Sequence, residues 1–235
     1  MKHSLTPAAI LITFLSACTS TNTYNDDLAR SEKSAISRAE LGVAYMAHGE
    51  IIKARENLLK AYNIDPTNLF VLLALAQYYE QVNELESANK IYSQAVQRFP
   101  KNGYVLNNYG TYLCTQNQYL KAQNYFKAAT NSSYLHVAAS YENYGLCMLK
   151  SGEKQLAYKN FSRALGYEPN RYVSLIQLCR IDVEMKNYAK AEARLTNFHS
   201  VYGYRRESTK LLIKIAKLQN NRQLENRYTL LFNQL

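Results

Sequence analysis

Leu69–Asn102 reads LFVLLALAQYYEQVNELESANKIYSQAVQRFPKN, and the spacing of a few residues within it decides the fold. Bulky Leu75 stands beside small Ala76; Ala88, bulky Tyr92 and Ala95 follow on one helical face; Pro100 ends the run. The same order recurs along the chain. Ala88 has counterparts in Ala54, Ala122, Ala157 and Ala191, at steps of 34, 34, 35 and 34 residues. Tyr92 corresponds to Leu58, Phe126, Phe161 and Leu195, and Ala76 to Gly42, Gly110, Gly145 and Cys179. A constant step of this length marks a stack of helix–turn–helix pairs.

With the alanine placed at position 20 of each unit, helix A carries its packing face at positions 4, 7, 8 and 11, and helix B at 20, 24 and 27. Position 7 is Leu41, Leu75, Tyr109, Tyr144 and Leu178. Small residues at 8 and 20 let two backbones approach, and bulky residues at 7 and 24 fill the space beside them. Pro66, Pro100 and Pro169 at position 32 disfavour helix in the residue before them and so end helix B. The register resembles the tetratricopeptide repeat. The expected fold is all-α: a solenoid of five clear repeats over 35–205 and a degenerate sixth over 206–235, forming a right-handed superhelix with a concave groove. Glu225 stands in the sixth unit where alanine is expected, and one extra residue near Ser132–Tyr134 predicts a different connection in the third.

Hydrophobic residues make up 47% of the 235, enough for a sizeable core. The 21 tyrosines could stack on bases, but the helix register assigns most of them to packing. Residues 1–17 read as a signal peptide: Lys2 precedes an apolar core, Ile10–Leu15, too short to span a membrane. Leu15-Ser16-Ala17-Cys18 resembles a bacterial lipobox, which implies cleavage before Cys18 and lipidation of its thiol; an ordinary secretory signal is the alternative. Thr19, rather than aspartate, favours the outer membrane. Acyl chains on Cys18 would anchor the protein to the membrane. Residues 18–34, rich in Ser, Thr, Asn and charge, read as the lipidated cysteine and a flexible tether.

The formal charge is +10, or +9 once Lys2 leaves with the signal. A basic surface attracts nucleic acid, anionic lipid or acidic protein; a periplasmic address argues against nucleic acid. Lys210, Lys214 and Lys217 recur at helical spacing and make either a basic stripe or a soluble end for the stack. Cys114 and Cys147 fall near the ends of successive first helices. They can pair as a disulfide in an oxidising compartment, or stay as buried thiols.

Catalytic chemistry finds little support. His48, His136 and His199 are scattered, and no HExxH, CxxC or glycine-rich phosphate loop occurs. Cys179 and His199 share a unit, but position 8 is a packing position. No catalytic residue, metal or cofactor is expected.

In tetratricopeptide solenoids, positions 2, 5, 9, 12 and 13 of helix A line the concave face. Here that face would carry Ile36, Ala39, Val43, Met46 and Ala47, then Phe70, Leu73, Gln77, Glu80 and Gln81, then Tyr104, Asn107 and Thr111. Apolar residues at exposed positions suggest an apolar slot for a partner segment, with Asn107 as a polar contact. Alternatively, residues 19–34 fold back over Ile36 and Val43.

Asn107-Asn108-Tyr109-Gly110-Thr111-Tyr112-Leu113-Cys114 resembles the NNYGxFLC-like helix of the PilF/PilW family of type IV pilus biogenesis lipoproteins, with tyrosine for the usual phenylalanine at 112. Glu142-Asn143-Tyr144-Gly145-Leu146-Cys147 resembles the following ENxGLC segment. The resemblance implies a monomeric, non-enzymatic outer-membrane lipoprotein facing the periplasm. It would act as a pilotin-like scaffold that binds the pilus secretin, a PilQ-like subunit, and promotes its localisation and multimerisation. A lipoprotein scaffold for cell-wall enzymes or outer-membrane protein assembly remains an alternative.

Overall fold

The computed structural model describes residues 20–235. Residues 1–17 and Cys18, hence the signal peptide and the lipidation site, lie outside the described residues. The described residues carry twelve α-helices and no strand. The helices are α1 (Ser20–Ala47), α2 (Ile51–Ile64), α3 (Leu69–Gln81), α4 (Leu85–Arg98), α5 (Gly103–Thr115) and α6 (Tyr119–Thr130). They continue with α7 (Val137–Lys150), α8 (Lys154–Tyr167), α9 (Tyr172–Glu184), α10 (Tyr188–Tyr202), α11 (Arg206–Leu218) and α12 (Arg222–Asn233).

Residues 18–34 were expected as a flexible tether, but α1 is already helical from Ser20. No glycine or proline occurs between Ser20 and Leu41, so nothing breaks the helix ahead of its packed part.

The chain divides into two compact units, one ending at Tyr78 and the other running from Tyr79 to Leu235. In the first, α1 packs on α2. Ala35, Ala39 and Gly42 share one side of α1 and are buried. A Cβ added to Gly42 would fall 2.6 Å from Leu58 Cγ, so this glycine sets how closely the two helices approach. Leu41, expected in the core, is 41% exposed. Its equivalent Tyr109 packs on the second helix of the preceding repeat, through Tyr92 and Asn89. No repeat precedes Leu41 among the described residues.

In the second unit α5, α7 and α9 each pack on their own partner, on the second helix of the repeat before and on the next first helix, as in α5 with α6, α4 and α7. The repeat core is the expected one: Ala122, Phe126, Ala157, Phe161, Ala191 and Leu195 are fully buried. Each buried Phe or Leu side chain stabilises the stack by about 1.5–3 kcal/mol. Gly145 faces the Phe161 ring, with an added Cβ 2.7 Å from it; the equivalent distance from Gly110 to Phe126 is 3.1 Å.

The turns inside the repeats hold a second period. Gly49, Asn83, Asn117, Gly152, Lys186 and Asn220 all adopt positive φ, between 55° and 88°. Each lies five residues before position 20, so Asn220 puts α11 and α12 in register with the pairs before them. Glycine and asparagine tolerate this left-handed conformation best. Glu225, at the alanine position of that last pair, is half-buried, and its carboxylate lies 3.5 Å from Lys217 Nζ. Between repeats, residues 65–68, 99–102, 168–171 and 203–205 make the short connections; residues 131–136 make a longer one, where the extra residue lies and proline is missing.

Candidate functional site

The family-like strings of α5 and α7 are the mortar of the second unit. Tyr109 donates its hydroxyl to Asn89 at 3.0 Å and Tyr112 to the Leu85 carbonyl at 2.8 Å. Their rings group with Tyr92 and Tyr125. Burial, with the Glu80 carboxylate beside it, pushes the Tyr92 hydroxyl well above its ordinary range. These four tyrosines thus serve packing, in line with the helix register. Cys114 and Cys147 form a disulfide, with Cα atoms 5.8 Å apart, that ties α5 to α7.

Asn102 caps α5 conventionally, its side chain accepting from the Tyr104 and Val105 amides. The next cap is supplied from a neighbouring repeat. Glu142 of α7 accepts from the Ser174 amide at 3.0 Å and hydroxyl at 2.7 Å, at the start of α9, and pairs with Arg171 at 2.9 Å. Burial opposes ionisation of Glu142, but these hydrogen bonds outweigh it and hold the carboxyl below its usual range. Its neighbour Asn143 donates to Asn107 Oδ1 at 3.2 Å. Asn107, expected to contact a partner, therefore also joins α5 to α7.

Positions assigned to a partner-binding face divide between the two units. In the first, Phe70 and Gln77 are exposed and Ile36, Val43, Met46 and Leu73 are half-exposed. Ala39 is a correction: it is fully buried, because it shares the packing side of α1 with Ala35 and Gly42 and its single methyl does not reach past the helix surface. In the second unit Tyr104 is 40% exposed, and its ring meets Tyr134 and His136 of the long connection.

Cys179 is fully buried, and burial pushes its thiol up to about 12, so it is a protonated apolar filler at neutral pH. His199 is buried against Tyr204 and Phe198. Among the described residues no cluster of His, Cys, Asp or Glu is arranged to hold a metal ion, and no helix is long and apolar enough to cross a membrane. What the first unit provides is a set of apolar side chains, Phe70 foremost, presented to solvent.

No protein-family model matches the chain. An uncharacterized protein of Haemophilus influenzae is 37% identical over 142 residues, covering 60% of this chain and 78% of that protein. The type IV pilus assembly protein PilF of Pseudomonas aeruginosa is 27% identical over 197 residues, covering 83% of this chain and 78% of PilF. A solved structure of Pseudomonas aeruginosa PilF superposes with a TM-score of 0.74 at 25% identity, over 87% of this chain and 92% of that one. A structure of PilW, described as a widely conserved type IV pilus biogenesis factor, gives 0.69 at 25% identity, over 83% and 90%. The chain belongs to one family with the Haemophilus influenzae protein, and its homology to PilF and PilW, at modest identity, supports a PilF-like family of tetratricopeptide-repeat proteins.

Proposed function

We propose that this protein is a type IV pilus biogenesis factor: a lipoprotein anchored through Cys18 to the outer membrane, facing the periplasm, that holds a secretin subunit and favours its assembly into multimers. The observation that carries the reading is the likeness to PilF and PilW over most of both chains. The lipobox string Leu15–Cys18 supports the anchor. The partner surface in this reading is the apolar side of the first unit, with Phe70 exposed and Ile36, Val43, Met46 and Leu73 half-exposed. Anchoring both components at one membrane raises their effective concentration, so a weak contact suffices for assembly. No bond is made or broken.

Deleting the gene and probing secretin multimers in outer-membrane fractions tests the proposal. Loss of multimers, restored by the wild-type chain but not by Val43→Glu with Leu73→Glu, is expected. Normal multimers and pili in the deletion strain reject it. Cys18→Ala should leave a folded protein that no longer fractionates with membranes; undiminished membrane retention rejects the lipid anchor.

A further inference from the structure

We infer that the recess between α9 and α11 is a docking site for an extended acidic peptide. This goes beyond the pilus reading and does not depend on it. The recess encloses about 340 Å³, within the range of ligand clefts. It is built from the helix positions that the register assigns to the concave face: Arg180 and Glu184 from α9, Glu207, Lys210 and Lys214 from α11. Its floor is apolar, made by Val183 and Leu211, which are 5% and 8% exposed.

The charges sort into two groups. Glu184 is neutralised by Lys154 at 2.7 Å, and Glu207 by Arg180. Lys210 and Lys214 are exposed and have no ion-pair partner among the described residues. The recess is left with two unmatched ammonium groups above an apolar floor.

Spacing selects the ligand. Lys210 and Lys214 are four residues apart on α11, a rise of about 6 Å. Alternate residues of an extended chain are about 6.6 Å apart and point to the same side. A peptide lying along α11 with carboxylates at two alternate positions therefore meets both lysines, and an apolar side chain beside them reaches Val183 and Leu211. A phospholipid headgroup would satisfy the lysines but leave the floor empty, which favours the peptide.

The probe is a fluorescent peptide with two glutamates at alternate positions and a leucine adjoining them, against a twin with glutamines in place of glutamates. Binding to the full soluble chain is read by polarisation. The glutamate peptide is expected to bind, to weaken between about 50 mM and about 500 mM salt, and to lose about tenfold in affinity in Lys210→Gln with Lys214→Gln, the order expected for two exposed charge pairs. Both lysines are exposed, so the variant should melt like wild type, and Val43→Glu with Leu73→Glu should bind the peptide normally. Equal binding of the two peptides, or undiminished binding to the lysine variant, overturns the inference. So does no binding of the glutamate peptide, including the case where phosphatidylglycerol vesicles sediment with the protein in a lysine-dependent way.

Discussion

Replacing Gly145 by alanine tests whether the glycine at position 8 sets the spacing of a repeat. The added methyl would sit 2.7, 2.8 and 2.9 Å from three atoms of the Phe161 ring. That ring is fully buried, so it has no free direction in which to retreat. Overpacking of this kind costs about 1–3 kcal/mol, and three contacts below van der Waals distance put Gly145→Ala near the upper end. Alanine regains up to about 1 kcal/mol of helix propensity. The net expectation is a loss of about 1–2 kcal/mol, or a fall of several degrees in Tm for a domain of this size. Two further variants calibrate the number. At Gly110 the nearest ring atom is 3.1 Å away, so Gly110→Ala should be close to neutral. Gly166, in α8, has nothing within 4 Å of an added Cβ, so Gly166→Ala should stabilise by about 0.5–1 kcal/mol. Urea unfolding followed by circular dichroism, with the disulfide kept oxidised, measures all three. Equal stabilisation by Gly145→Ala and Gly166→Ala would refute the reasoning, because it would mean that the helix pair opens freely and the glycine sets nothing.

Removing the disulfide with Cys114→Ala and Cys147→Ala opens a loop closed at a separation of 33 residues; the loop-entropy relation gives a loss of about 3–4 kcal/mol, and a urea-measured change well below about 1 kcal/mol would contradict it. His199 supplies a pH test. Ser208 donates its hydroxyl to the Arg205 carbonyl, so it accepts from His199 Nε2–H at 2.7 Å, and Nδ1 is left without a partner. Burial lowers the His199 pKa to about 4, so the unfolded chain takes up the proton first: this contribution to stability is complete above about pH 6.5 and is lost as pH falls toward 4, up to about 3 kcal/mol. His199→Gln, which keeps a donor, should flatten that part of the stability–pH curve; an unchanged curve would show that another group titrates. Glu142→Ala removes both the α9 cap and the partner of Arg171, and should cost about 2–3 kcal/mol. The Glu142 carboxyl is held low, so its contribution is present above the ordinary glutamate pKa and is lost as pH falls through its depressed value; thermal melts across that range read it.

Much of the packing was legible because a stack of repeats is nearly one-dimensional: each pair touches only its neighbours, so a local period predicts burial. Ala88, Ala122 and Phe126 show this directly. The left-handed turn residues from Gly49 to Asn220 carry the same step, and that signal was available in the sequence but is easily passed over, because Gly, Asn and Lys do not look alike. Other features escape a register altogether. Ala39 and Val43 were both assigned to an exposed face, yet Ala39 is buried and Val43 is not, because exposure depends on side-chain length and on the angle at which α1 meets α2. Leu41 occupies a core position and is exposed, with no preceding repeat among the described residues to cover it.

The sequence by itself determined the all-α repeat architecture, the register of its helices and the residues whose small size lets them approach, since these follow from periodicity and side-chain volume along the chain. Only the tertiary structure decided that Glu142 caps a helix 32 residues away, that Asn107 and Cys114 bind one repeat to the next, and that two lysines stand unmatched over an apolar floor. Those are facts about which side chains meet across repeats, and a period says which face a residue occupies without saying what stands opposite it.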